Sequence, residues 1–337
     1  MDLLNAIVAL SNFVLIPAVA YGSQLALGAL GVTLIYGILR FSNFAHGDTM
    51  AFGTMVTILV TWWLQAAGVA LPFGLPTALL ALPAGIAGCA LLLLGTDKVI
   101  YQFYRVQRAK PVILVIVSIG VMFILNGLVR FIIGPGDQRF GDGERFIISA
   151  REFRDMTGLR EGLALKTSQG ITVITAVIVV ALLFWFLNRT RTGKSMRAYS
   201  DNEDLALLSG INPDRVVMVT WLIVAALATI AGTLYGLDKS FKPFTYFQLL
   251  LPIFAAAIVG GLGSPLGAIA GGFVIAFSEV FITYAWKKVL GYVMPESLEP
   301  SGLVQLLSTD YKFAVSFVIL LIVLLFKPTG LFKGKAV

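Results

Sequence analysis

Residues 111–133 read PVILVIVSIGVMFILNGLVRFII, a run in which Arg130 is the single charged side chain. A helix rises about 1.5 Å per residue, so this run is long enough to cross the ~30 Å hydrocarbon layer of a membrane. Comparable apolar runs recur along the chain. The sequence predicts nine spans, near residues 13–39, 44–66, 72–95, 111–133, 171–188, 217–237, 249–261, 266–284 and 313–326. The run 249–261 is short, and it reads either as a half-crossing or as a tilted full span.

The composition of the 337 residues agrees with this pattern. Hydrophobic residues make up 58% of the chain and charged residues 13%, about half the usual quarter. A water-soluble globule of this size could not keep so much apolar surface from solvent. The composition excludes a soluble enzyme, a disordered tail and a disulfide scaffold. We therefore predict an all-α, polytopic transmembrane bundle that forms a single domain over residues 1–337.

Few side chains are available for covalent or metal chemistry. Cys89 is the one cysteine and His46 the one histidine, so we expect neither a metal site nor a cofactor. The chain contains no Walker A sequence, so ATP hydrolysis is expected on other chains. The net charge of +7 comes from basic residues scattered among loops, which does not indicate nucleic-acid binding.

The basic residues suggest an orientation. The segments 96–110, 189–216 and 327–337, together with Arg40, carry 13 Lys and Arg, against 11 in the segments on the other side. Six of those 11 lie in the long segment 134–170, where they constrain topology less. We predict a multi-pass protein of the bacterial inner membrane with an external N-terminus and a cytoplasmic C-terminus. The segment 134–170 is then an external loop, either a docking surface for an external partner or a plain connector.

The predicted cytoplasmic loop 189–216 contains MRAYSDNEDLALLSGINPDR at residues 196–215. Ser200 and Glu203 are spaced as a capping box, and Leu205 and Leu208 give the following short helix an apolar face. Gly210 suits a left-handed helix end, and Asn212 precedes Pro213 as the cap of the next helix. A helix this short needs a surface to pack against. That surface is either the underside of this protein or a groove on a soluble motor subunit.

Three blocks resemble the permease subunits of ATP-binding cassette importers for branched-chain amino acids. They are GVTLIYGILRFSNFAHGD at 31–48, the block 196–215, and AIVGGLGSPLGA at 257–268 with the tail KPTGL at 327–331. Permeases for urea and short amides share similar blocks. The resemblance implies that a coupling helix contacts an ATPase subunit. Its residues are Ser200, Asp201, Glu203, Leu205, Leu208, Gly210 and Ile211.

The resemblance also implies the partners of this chain. They are a second, homologous permease, two cytoplasmic ATP-binding subunits, a periplasmic substrate-binding protein and membrane lipid. The two permeases would form one translocation path, which alternates between outward and inward access under the control of ATP. Leucine, isoleucine and valine are the expected substrates.

Two further sets of residues are candidates for function. A helix break at Gly260, Gly261, Gly263 and Ser264 is expected on the translocation path, because free backbone groups at breaks bind charged substrates. Arg130 and Glu279 are charges inside spans, and we consider an intramembrane ion pair between them. The alternative is that each reaches the outer headgroups separately.

The segment 43–48, NFAHGD, is expected at a cytoplasmic turn or at the start of a helix, which Asn43 or Asp48 could cap. For His46 and Asp48 we favour a structural role over a proton or substrate site. Two other functions stay open: a standalone channel or ion-coupled carrier, and a membrane-embedded enzyme. The enzyme ranks last, because the sequence contains no HExxH motif and no convergent carboxylates.

Overall fold

The computed structural model describes residues 2–142, 146–293, 302 and 304–332. Within this part of the chain the protein is a helical bundle, and nine helical runs are long and apolar enough to cross a membrane. The predicted all-α polytopic fold is confirmed.

The helices are numbered in chain order. They are α1 Asp2–Leu10, α2 Ile16–Leu39, α3 His46–Ala66, α4 Ala78–Thr96, α5 Gln102–Val106, α6 Pro111–Ile133, α7 Ala150–Thr157, α8 Thr167–Arg189, α9 Arg191–Asp201, α10 Glu203–Leu208, α11 Pro213–Lys239, α12 Pro243–Gly260, α13 Pro265–Thr283, α14 Lys287–Val293 and α15 Lys312–Phe326. Short 3₁₀ turns cover Pro72–Gly74 and Thr309–Tyr311. Strands β1 Phe146–Ile148 and β2 Leu165–Lys166 form an antiparallel hairpin.

Two helical runs are longer than the sequence pattern predicts. The π-helical segment Ser11–Leu15 joins α1 to α2, so the first run begins at Asp2 rather than near residue 13. A second π-helical segment, Asp97–Tyr101, joins α4 to α5 and extends that run to Val106. The predicted loop 96–110 is therefore mostly helix. The extension of the first run, residues 2–10, is mostly apolar. The second run continues into residues 97–106, where Asp97, Lys98 and Arg105 lower the hydropathy although the helix continues.

The centre of the bundle is α2, which is buried along most of its length and packs against α11, α12 and α13. Glycines allow the close approach. A Cβ on Gly272 would lie 2.7 Å from the Ala26 backbone nitrogen, and a Cβ on Gly271 would overlap the Ala256 carbonyl. The glycine row in α13 therefore serves helix packing, as small residues commonly do in membranes.

The short apolar run 249–261 belongs to α12, which begins earlier, at Pro243, and is long enough to be a full crossing. Of the two alternatives, the half-crossing is wrong. A turn follows in which Gly261 and Gly263 have φ angles of 109° and 85°, a conformation that favours glycine. This turn joins α12 to α13.

The loops gather at two ends of the bundle. The hairpin face contains β1, β2 and α7, and two asparagine side chains of the first helical run accept hydrogen bonds from this region: Asn5 from Arg160 N and Glu161 N, and Asn12 from Ala164 N. The Arg40 face contains the segments 190–212 and 261–264 and the tail 327–332. The long segment 134–170 and the loop 189–216 therefore lie at opposite ends of the bundle.

Candidate functional site

The short helix α10 projects from the Arg40 face with its apolar side uncovered. Leu205 is 61% exposed and Leu208 is 85% exposed, whereas Ala206 is buried against the protein. Asn202 begins the helix, because its side-chain oxygen accepts a hydrogen bond from Leu205 N at 3.0 Å. The underside of the protein thus covers one side of α10 and leaves the leucines free.

The predicted capping box between Ser200 and Glu203 is wrong. Ser200 and Asp201 lie in the last turn of α9, and the extended backbone of Asn202 separates them from α10. Asn202 has an amide oxygen at the required position, so it replaces Ser200 as the cap. Glu203 accepts a 2.6 Å hydrogen bond from the Tyr199 hydroxyl instead. Burial and this carboxylate raise the pKa of Tyr199, which keeps the phenol protonated.

The other end of the loop forms as predicted. Gly210 has a φ of 79°, and the Ile211 N–H donates to the Ala206 carbonyl at 3.0 Å, which ends α10 in a left-handed turn. Asn212 then caps α11 by accepting from Arg215 N at 3.1 Å. The end of α10 and the start of α11 are therefore both set by residues at those positions in the sequence.

The loop is attached to the central helix α2. The Arg40 guanidinium donates a hydrogen bond to the Ser200 carbonyl at the end of α9. Arg40 itself ends α2 with a φ of 59°, a conformation that is unfavourable for a residue with a Cβ. A small cavity of about 180 Å³ lies beside this contact, and Thr33, Gly37 and Gly263 are among the residues that line it. The hydrogen bond from Arg40 thus connects the end of α9 to the end of α2.

The turn at residues 261–264 also lies on the Arg40 face, and other parts of this chain contact it. Ser264 caps α13 by accepting from Gly267 N at 3.1 Å. The C-terminal tail covers the turn, because Phe332 N donates to the Gly260 carbonyl at 3.1 Å and Gly330 lies against Gly261. The role of Gly260, Gly261, Gly263 and Ser264 in a translocation path stays a prediction.

The structure does not bring Arg130 and Glu279 together. Glu279 on α13 accepts a hydrogen bond from the Ser316 hydroxyl of α15. Arg130 on α6 lies 5.8 Å from the centre of the Phe244 ring on α12. No ion pair joins the two charges in the described ranges, so the pairing considered from the sequence is not formed. Each side chain instead contacts a different neighbouring helix, α15 for Glu279 and α12 for Arg130.

The segment 43–48 does not lie at a surface turn. His46, the first residue of α3, packs against Gly31, eight residues before the end of α2 and so about 12 Å deeper in the bundle. Neither Asn43 nor Asp48 caps α3, which has no side-chain cap. Asp48 accepts a 2.7 Å hydrogen bond from Asn126 in the middle of α6. Sequence reasoning missed this contact, although two polar residues at 48 and 126 within apolar runs were a visible signal.

These features define a multi-pass α-helical membrane protein with a short, partly exposed helix on one face. The family model described as "Branched-chain amino acid transport system / permease component" matches residues 15–324. The chain belongs to this family.

Individual relatives agree with the family. The high-affinity branched-chain amino acid transport system permease protein LivH of Salmonella typhimurium is 30% identical, over 93% of this chain and 92% of its own. LivH of Escherichia coli K12 has the same identity and coverage. BraD of Pseudomonas aeruginosa, named for the same type of transport system, is 27% identical over 94% of both chains.

Proposed function

We propose that this chain is a permease subunit of an ATP-binding cassette importer for branched-chain amino acids. The exposed leucine face of α10, on a chain that belongs to this permease family, is the observation that carries the proposal. An apolar helix face of this kind is the form in which a helix docks into a groove on a partner. The partner is a separate ATP-binding subunit, and the chain itself catalyses no covalent step.

The contacts of the loop suggest how ATP binding moves the bundle. Two ATPase subunits that close on ATP would displace α10, and the hydrogen bond from Arg40 to Ser200 would pass the displacement to α2. Because α2 packs against α11, α12 and α13, its movement changes the packing of the whole bundle. A path between this chain and a second, homologous permease would then alternate between the two sides of the membrane. A periplasmic binding protein would deliver the amino acid.

This mechanism requires the Arg40 face in the cytoplasm and the N-terminus outside, as the distribution of basic residues predicts. Cysteine labelling in intact cells tests the orientation. Cys89 is fully buried and gives a low background. We expect a membrane-impermeant thiol reagent to label Met156→Cys on α7, and to label Asp204→Cys on α10 only after the membrane is opened. The reverse pattern contradicts the orientation.

Reconstitution tests the function. The chain, its partner permease, the ATPase subunits and the binding protein are assembled in proteoliposomes with radiolabelled leucine. We expect uptake that requires ATP and all components. Leucine uptake by the chain alone contradicts the proposal in favour of a channel or an ion-coupled carrier. ATP-driven uptake of urea or a short amide without uptake of leucine supports an ATP-driven importer with a different substrate.

A further inference from the structure

The connection from α2 to α3 enters the membrane-spanning part of the bundle without helical structure. Its polar groups are satisfied by side chains: Ser118 accepts from Phe44 N at 3.1 Å, and Asn43 accepts from Ala45 N at 3.1 Å. Non-helical backbone at this depth is tolerated where protein buries it or where it borders a cavity. The connection places the first turn of α3, with no side-chain cap, inside the bundle.

Asp48 lies in this first turn and is only 1% exposed. Asn126 donates to its Oδ1 atom at 2.7 Å, while its Oδ2 atom is buried without a hydrogen-bond partner. A buried carboxylate with an unused oxygen is costly. Ionisable groups within spans usually border a substrate or ion pathway. The Oδ2 atom can therefore accept a hydrogen bond from a ligand.

Arg130 provides the opposite charge nearby. It lies one helical turn beyond Asn126, on the same side of α6. No ion pair joins Arg130 to Asp48 in the ranges that the structure describes. Its guanidinium instead lies over the Phe244 ring. The Asp48 carboxylate and the Arg130 guanidinium therefore lie near adjacent turns of α6, and only the first of these turns provides Asp48 with its hydrogen bond from α6.

We propose that Asp48 and Arg130 form a binding site for the zwitterionic group of an α-amino acid. The Oδ2 atom of Asp48 accepts from the ammonium, and the Arg130 guanidinium donates to the carboxylate. Both charged groups of the ligand are attached to one carbon, so they fit between two opposite charges that are not in contact. This proposal rests on the proposed function, and it identifies the residues of this chain that bind the amino acid.

The site is closed in this structure, and α6 is the element that opens it. One side of α6 packs against α3 and α12, while its opposite side is uncovered: Phe131 is 89% exposed. A displacement of α6 from α3 breaks the hydrogen bond from Asn126 to Asp48 and admits the ligand. The exposed rings of Phe244 and Phe247 on α12 offer apolar surface to an aliphatic side chain.

Ligand discrimination tests the site. Leucine binding is measured on the assembled importer in lipid nanodiscs without the binding protein, in competition with 4-methylpentanoate, which lacks the ammonium, and 3-methylbutylamine, which lacks the carboxylate. Hydrogen bonds to charged groups contribute about 1.5–3 kcal/mol, so each variant loses leucine affinity by about tenfold or more. Asp48→Asn also loses its preference for leucine over the acid. Arg130→Gln loses its preference for leucine over the amine.

The matched control is Glu279→Gln, which neutralises another buried carboxylate, on α13, a helix that packs against α2, α12 and α15, and leaves leucine affinity unchanged. Two results overturn the site. In one, both variants bind leucine as tightly as the wild type. In the other, each variant loses leucine and its analogue equally, which is the effect of general misfolding. A wild-type complex that transports leucine but does not bind it here also overturns the site, and it leaves the proposed function intact.

A second measurement does not depend on mutating the charges. In a Cys89→Ala background, Asn126→Cys reacts with a charged thiol reagent during ATP turnover, and leucine slows the reaction. Gly127→Cys, the adjacent residue on the uncovered side of α6, shows no effect of leucine. A cysteine at 126 that never reacts, or whose reaction leucine does not change, contradicts an opening of α6 over Asp48.

Discussion

The helix α10 exposes apolar side chains to solvent, whereas the first turn of α3 buries a charged side chain inside the bundle. In α10, leucines extend beyond the bundle, with Leu208 largely exposed. In α3, a carboxylate lies inside the bundle with one oxygen unused. Exposed apolar surface and buried unpaired charge are both costly for a chain on its own. In our proposals a binding partner offsets this cost in both regions, a protein in the first case and a small charged molecule in the second.

The regions differ in how they are built. The hydrogen bonds that begin and end α10 come from residues 199–212, whereas Asp48 depends on Asn126, 78 residues away in sequence. The first is a local structure presented to a partner. The second exists only when α3 and α6 pack together. Mutations should therefore affect binding at α10 and stability at α3.

The largest effect is expected from charges on α10. Contact residues at the centre of an interface contribute about 2 kcal/mol or more each. Leu205→Asp combined with Leu208→Asp should therefore weaken ATPase association at least about thirtyfold, while membrane insertion and thermal stability stay unchanged. Co-purification of the ATPase subunits measures the loss. Met156→Asp on the hairpin face, where the native side chain is 82% exposed, is the control and should retain them. Normal co-purification of the double variant refutes the docking role.

The next effect concerns stability inside the bundle. Asn126→Leu leaves the Asp48 carboxylate without a donor and should lower the free energy of unfolding by about 2 kcal/mol. Thermal unfolding of the purified protein in detergent measures the change. Gly127→Ala adds a methyl group where no neighbouring atom lies within 4 Å, so its stability should be unchanged or slightly higher. An Asn126→Leu protein as stable as the wild type shows that the buried hydrogen bond is dispensable.

A smaller effect is expected at Arg40, which connects the loop 189–216 to α2. Arg40→Ala removes the hydrogen bond to Ser200, which contributes about 1 kcal/mol, and should lower the amount of leucine transported per ATP hydrolysed. Arg40→Gly also removes this contact but relieves the left-handed backbone, worth roughly 1 kcal/mol. We expect glycine to restore stability without restoring the transport ratio. Recovery of both by glycine indicates that Arg40 is only a helix end.

The smallest effect is expected at the start of α10. Asn202→Ala removes the cap and should destabilise this helix by about 1 kcal/mol, which hydrogen exchange at the Leu205 amide reports. Ser200→Ala, which changes the residue that the sequence pattern favoured as the cap, should leave that exchange rate unchanged. Faster exchange in Ser200→Ala but not in Asn202→Ala restores the capping-box assignment.

Much of the fold follows from the sequence, because apolar length is a local property. Each of the nine runs coincides with a helical run in the structure, and Gly210 and Asn212 mark helix boundaries as their backbone preferences indicate. The extra length before residue 13 and after residue 95 escaped prediction. Before residue 13, the polar residues Ser11 and Asn12 separate the apolar segment 2–10 from the predicted run. After residue 95, charged residues lower the hydropathy although the helix continues.

The candidate site was less accessible to sequence reasoning. Ser200 and Asn202 both have capping side chains, and the choice between them depends on where α9 ends. The depth of His46 depends on the path of residues 41–45 between helices, which hydropathy does not describe. Arg130 and Glu279 were considered as partners because both are charged, whereas packing gave each of them different neighbours.

The sequence by itself determined eight or nine apolar runs long enough to cross a membrane and a short helix before Gly210, because these properties depend on neighbouring residues. The tertiary structure decided which buried polar groups meet, including Asp48 with Asn126 and Glu279 with Ser316. The physical reason is that a buried charge is stabilised by whichever donor the packed helices bring within hydrogen-bonding distance. That choice is made across the bundle and not along the chain.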